Sequence, residues 1–105
     1  MTQTVRLDAS ANRLEFHCQV NWRERHQLLK VSFPIKVRST RATYEMPFGV
    51  AERPAHANAQ ADLAQYEVPG PRWADLSEPG FGVSLLTESK YGYCAYGNEM
   101  SVSLL

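Results

Sequence analysis

The sequence predicts an all-β fold, an antiparallel β-sandwich. Three observations carry that expectation. Apolar residues recur with a period of two over several short stretches. Gly, Pro, Asn and Ser residues with turn chemistry stand between those stretches. No segment repeats its apolar residues at helical spacing, and no internal repeat or low-complexity tract occurs.

The elements follow in chain order. Leu14, Phe16, Cys18 and Val20 alternate with Glu15, His17 and Gln19, which predicts a half-buried strand with one wet face. Trp22 to Gln27 is charged and predicts a connection, its charges tied into a local ion-pair network or turned toward a domain interface. Leu29, Val31, Phe33, Ile35 and Val37 make the clearest strand; Pro34 has no N–H for a ladder, so it predicts an edge or a bulge there. Arg38 to Arg41 is a polar turn. Tyr44, Met46, Phe48 and Val50 predict a third strand, with Pro47 marking a second edge or bulge.

From Glu52 to Gly80 the alternation fails, punctuated by Pro54, Pro69, Gly70, Pro71, Pro79 and Gly80. A short strand fits Gln65 to Val68, and 58–64 has room for one helical turn. Irregular segments of this length usually serve function or dock on something else. Strands return at Gly82–Leu86 and Tyr91–Ala95. Gly97-Asn98 suits a two-residue hairpin turn, because Gly takes a positive φ without steric cost. Met100, Val102 and Leu104 then alternate to the end of the chain. A pattern that stops in mid-strand is expected of one piece of a longer sandwich, and its open edge favours self-association.

Composition narrows the function classes. The 105 residues make a single domain, and an apolar content of 44% is enough for a core. Formal net charge is zero, which argues against capture of nucleic acid or an anionic membrane. No apolar run is long enough to span a bilayer, and no signal-peptide pattern occurs. The two cysteines, Cys18 and Cys94, sit in predicted strands and are expected to be reduced thiols in a cytoplasmic protein.

Chemistry-bearing motifs are scarce. His17, His26 and His56 lie far apart with no Cys or carboxylate at ligand spacing, so no metal site is expected within this chain. No serine sits in a nucleophile elbow, and Gly80-Phe81-Gly82 lacks the remaining glycines and the helix of a phosphate loop. Two clusters stand out. Arg72-Trp73-Ala74-Asp75-Leu76-Ser77-Glu78 places an aromatic among charges, either as a surface on which a sugar stacks or as a Trp that plugs the sandwich end. Glu88-Ser89-Lys90-Tyr91-Gly92-Tyr93 sets Lys and Tyr among small residues, either to reach a sugar hydroxyl or as a hairpin whose tyrosines pack on the sheet.

One resemblance runs along the whole chain. It is carried by Asn21-Trp-Arg-Glu-Arg-His-Gln-Leu-Leu-Lys30, Arg41-Ala-Thr-Tyr-Glu45, Phe48-Gly-Val50, Glu52-Arg-Pro54, Arg72 to Glu78 and Lys90-Tyr-Gly-Tyr93. In this order the pieces resemble the C-terminal β-domain of family 38 glycoside hydrolases, the retaining α-mannosidases of the cytosolic and bacterial branch. The resemblance implies a segment, residues 1–105, of a mutarotase-like supersandwich. It implies hydrolysis of terminal α-linked mannose by the whole enzyme, with this piece as scaffold and pocket rim. The aspartate nucleophile, and the zinc with its His and Asp ligands, would belong to the upstream catalytic domain, the expected partner of this piece. No catalytic residue and no metal ligand is carried over here, and the piece alone is expected to be inactive. Lys90 and Tyr91 resemble by position a loop at the pocket mouth, and Trp73 joins them as a candidate sugar contact. In the loop after Pro54 the family's Thr-His-Arg-Asn-like run reads Ala55-His56-Ala57-Asn58, which keeps only the His and the Asn. The competing reading is a free-standing carbohydrate-binding β-sandwich module; a third is a plain interaction domain.

Overall fold

The computed structural model describes residues 1–56 and 67–105. All regular structure among them is strand: β1 Thr2–Leu7, β2 Leu14–Gln19, β3 Lys30–Pro34, β4 Arg41–Met46, β5 Gly49–Pro54, β6 Val68–Pro69, β7 Trp73–Glu78, β8 Phe81–Leu86, β9 Gly92–Tyr96 and β10 Glu99–Ser103. One four-stranded sheet has the order β3-β10-β9-β6, a second has the order β5-β4-β7-β8, and β1-β2 forms a separate hairpin. Every pairing is antiparallel. The two larger sheets enclose one core, so the expected β-sandwich is the architecture found.

The core is built by alternation. Ala42 and Tyr44 of β4 and Ala74 and Leu76 of β7 point inward from one sheet; Tyr93 and Ala95 of β9 and Met100 and Val102 of β10 point inward from the other. Large residues sit beside small ones: Tyr44 is opposite Ala74, and Met100 is opposite Ala95. That arrangement lets aromatic rings cross the interior without voids. Burial pushes the Tyr44 phenol up to about 12, against the opposing pull of the nearby Ala95 backbone in the facing sheet.

The predicted third strand is a hairpin. Met46 pairs with Gly49 around the two-residue turn Pro47-Phe48, and Val50 stands opposite Glu45, away from the core face of Tyr44. Alternation could not reveal the break, because the apolar residues stay at even positions through it while the inward-facing positions pass from Tyr44 and Met46 to Gly49 and Ala51. Pro47 is therefore neither bulge nor edge marker; its locked φ serves the turn. Phe48 takes a φ of 61° and is fully exposed. Within the stretch expected to be irregular, β7 is a strand with neighbours on both sides. Its inward pair, Ala74 and Leu76, includes an alanine, a weak apolar signal between proline-rich flanks.

The N-terminal region differs too. β1 was not anticipated, since only Val5 and Leu7 alternate in it. β2 is exposed nearly throughout instead of half-buried. The hairpin gathers Val5, Leu7, Leu14 and Phe16 on one face, and the ring of Phe16 meets Phe33 at 5.3 Å. Pro34 does end an edge strand, as expected. The short strand proposed for Gln65 to Val68 falls on Val68–Pro69, paired with β9; the rest of that stretch and the helical turn at 58–64 lie outside the described residues. The Gly97-Asn98 turn closes β9 on β10, with Gly97 at a φ of 59°.

Two stability outcomes follow. Leu76→Ala removes a fully buried side chain from the middle of the core and should cost about 2–5 kcal/mol in urea unfolding. Phe48→Asn keeps a residue that accepts the left-handed conformation and gives up no packing, so the same experiment should show a gain of roughly 0.5–1 kcal/mol.

Candidate functional site

The candidate residues converge on one end of the sandwich. β7 begins there and β8 ends there, since Trp73 pairs with Leu86. The Thr87 N–H donates to the Arg72 carbonyl at 2.8 Å, and the Gly70 N–H donates to the Tyr91 carbonyl at 2.9 Å. These two backbone bonds lay the β8–β9 connection, 87–91, along the segment 70–72. Lys90 and Tyr91 sit on that connection; Lys90 is half-buried and Tyr91 exposed. Of the tyrosines in the second cluster only Tyr93 packs inside, at 1% exposure; Tyr91 projects outward.

Trp73 is not a plug in the sandwich end. It lies on the outer face of the β5-β4-β7-β8 sheet, because its neighbour Ala74 takes the inward position. Across this face the register aligns Glu52, Thr43, Asp75 and Ser84 in one row. Thr43, Trp73, Asp75 and Ser84 line an open depression of about 280 Å³. Asp75 is oriented by two hydroxyls at 2.5 Å: Ser84 Oγ donates to Oδ1 and Ser77 Oγ to Oδ2. Gly82 makes this geometry available, since a Cβ there would stand 2.2 Å from Ser77 Oγ. Arg72 does not tie down a loop either. Its guanidinium grips Glu45 of β4, with Nη2 to Oε1 at 2.5 Å and Nε to Oε1 at 2.9 Å. This fork joins the start of β7 to the end of β4.

Among the described residues, every carboxyl with a resolved shift is lowered. Arg72 holds the Glu45 carboxyl below the usual range, the Lys30 ammonium and then Ser103 do the same for Glu67, and Arg13 does so for Glu15. A glycosidase acid needs the opposite shift, upward, and a second carboxylate in register with it. Cys18 and Cys94 are both free, and burial pushes the Cys94 thiol up. Among the described residues no group of three His, Cys, Asp or Glu side chains is placed to hold a metal ion. Nor does any described helix have the length and apolarity to cross a membrane. The expected ion-pair network at Trp22–His26 does not form among the described residues; Arg23, Glu24 and Arg25 take no part in the ion pairs present. His26 instead carries a φ of 58°.

Sequence reasoning missed Thr87, Thr43 and Ser84. Each is a small hydroxyl residue in or beside a strand, and only the register says which face it serves. The row Glu52-Thr43-Asp75-Ser84 draws one residue from each of four strands, so no linear motif could announce it.

The fold is a two-sheet antiparallel β-sandwich whose candidate residues lie at one end. The match to known proteins makes that specific: residues 1–105 match the family described as Glycosyl hydrolases family 38 C-terminal domain, and the chain belongs to that family. It is 49% identical over 105 residues to Alpha-mannosidase 2C1 of Homo sapiens, covering 100% of this chain and 10% of that protein. It is 45% identical over 105 residues to Alpha-mannosidase G of Dictyostelium discoideum, and 41% identical over 106 residues to Alpha-mannosidase of Saccharomyces cerevisiae (strain ATCC 204508 / S288c), with 100% of this chain and 10% of each relative covered. The chain thus spans a tenth of the length of the relatives it matches.

The lowered carboxyl groups set a pH dependence. A depressed Glu contributes stability that is full above its unfolded value, about 4.3, and is lost as pH falls through the folded value. The double variant Glu45→Gln/Glu67→Gln should be less stable than the parent at neutral pH. In urea titrations the difference should shrink steadily toward about pH 2, where both parent carboxyls are protonated.

Proposed function

We propose that this chain is the scaffold segment of a retaining α-mannosidase that hydrolyses terminal α-linked mannose, and that its β8–β9 connection lines the rim of the substrate pocket. The observation that carries this reading is the Lys90–Tyr91 loop, with Lys90 half-buried and Tyr91 exposed, pinned to 70–72 in a chain of family 38 membership. The names of the relatives, each an alpha-mannosidase, support the substrate class. The nucleophile, the acid/base carboxyl and the zinc would come from the catalytic domain upstream. This piece would bind it, hold the loop and offer Lys90 Nζ and Tyr91 Oη as hydrogen-bonding groups for sugar hydroxyls. Nucleic acid and membrane have no place in this reading. The free thiols fit a reducing compartment, the cytosol.

A second reading has its own observation. The depression at Trp73, with Asp75 oriented by Ser77 and Ser84, offers an aromatic face and an acceptor to a pyranose ring. On that reading the chain is a carbohydrate-binding β-sandwich module. Mannose titrated into the isolated chain would then quench Trp emission, and Trp73→Ala would abolish the effect.

Activity assays separate the two. The full-length polypeptide should hydrolyse an aryl α-mannoside with retention, while the isolated chain should not exceed buffer. Lys90→Ala and Tyr91→Ala in the full-length protein should each lower kcat/KM by about tenfold or more, chiefly through KM. Turnover by the isolated chain, or loop variants with parental kcat/KM, would sink the scaffold-and-rim reading.

A further inference from the structure

Tyr93 is a buried phenol that the sandwich does not need for its core volume alone, because a Phe would fill the same space. Its hydroxyl lies 2.7 Å from Thr87 Oγ1, and Thr87 Oγ1 lies 2.9 Å from the Lys90 carbonyl oxygen. Proton counting gives this chain of bonds one direction. A carbonyl only accepts, so the single Thr87 hydroxyl proton goes to Lys90 O. Thr87 Oγ1 must then be the acceptor for Tyr93, and the phenol must donate. The sequence is Tyr93 O–H to Thr87 Oγ1–H to Lys90 O=C. It starts on a fully buried strand residue and ends on the carbonyl of the peptide that joins Lys90 to Tyr91.

Three further features keep the relay in place. Burial raises the Tyr93 phenol, which keeps its proton available for donation. Gly70 packs against the Tyr93 ring, where a Cβ would approach Cδ2 to 3.2 Å and Cε2 to 3.3 Å. The backbone bonds from Thr87 to Arg72 and from Gly70 to Tyr91 close the loop at both ends. Aligned hydroxyls polarise each other in a part-buried setting, so the relay is stiffer than two separate bonds.

We infer that Thr87 and Tyr93 are positioning residues: the Tyr93–Thr87–Lys90 hydrogen-bond relay transmits the rigid position of β9 to the Lys90–Tyr91 loop and sets the placement of that loop toward substrate. The inference rests on the proposed rim role of the loop. It distinguishes the two hydroxyls by their position in the relay. Thr87→Val removes the central link and leaves both the phenol and the Lys90 carbonyl without a partner. Tyr93→Phe removes only the first donor, and Thr87 can still hold Lys90. Thr87→Ser retains every bond.

The test is steady-state kinetics of the full-length polypeptide on an aryl α-mannoside, with thermal unfolding of every variant. Thr87→Val should lower kcat/KM about tenfold, mostly through KM, Tyr93→Phe about threefold, and Thr87→Ser should restore parental values. Val37→Ala, a core change remote from the loop in sequence, should lower Tm without moving kcat/KM, which separates positioning from general loss of stability. If Lys90→Ala and Tyr91→Ala reduce kcat/KM while Thr87→Val leaves it unchanged, the relay is overturned and the rim reading survives. If Lys90→Ala and Tyr91→Ala are silent, the rim reading fails and the inference falls with it. A Thr87→Ser variant as impaired as Thr87→Val would also overturn it, because the hydroxyl would then not be the operative group.

Discussion

Two tyrosine rings lie between the sheets, and the need to satisfy their hydroxyls organises the rest of the molecule. A phenol in the interior must find a hydrogen-bond partner or lose more than its ring gains by burial. Tyr44 extends from β4 across the core toward the Ala95 backbone of the opposing sheet. Tyr93 reaches from β9 to Thr87, which ties the sheet to the connection at the candidate site. Small residues opposite and around the rings, Ala74 and Gly70 among them, are what make room for both.

The same logic explains why chemistry is displaced to the edges. The interior takes apolar groups and tyrosines, with Ser101 the buried polar side chain among the described residues. The charged residues pair on the outside: Arg72 with Glu45, Arg41 with Glu52, Lys30 with Glu67. Paired carboxyls of this kind are held ionised and make poor proton donors. A domain so arranged suits support and contact. The relatives it matches are about ten times its length.

Much of the strand content was legible because one face of each sheet is wet. The β3, β8, β9 and β10 regions showed their alternation directly, and Gly97-Asn98 announced its turn. The β4–β5 hairpin was misread since the apolar residues Tyr44, Met46, Phe48 and Val50 keep an even spacing through the turn, although the inward face passes to odd positions after it. β7 was hidden by its alanine and its proline-rich flanks. β1–β2 was misjudged for burial, because alternation reports a face that could be covered and not whether anything covers it. At the site, Lys90, Tyr91 and Trp73 could be named from type and context; Thr87, Thr43 and Ser84 could not, as their roles come from cross-strand register.

By itself the sequence determined the fold class, the absence of helical periodicity, the family and the lack of a metal-ligand pattern. These are properties of local order: side-chain alternation and residue spacing are written along one dimension. Tertiary structure alone decided that Trp73 faces outward from a sheet, that Asp75 meets hydroxyls from two strand positions, and that Tyr93 donates through Thr87 to Lys90. Each of those depends on which strands become neighbours and in what register, and that choice is made by the packing of whole sheets.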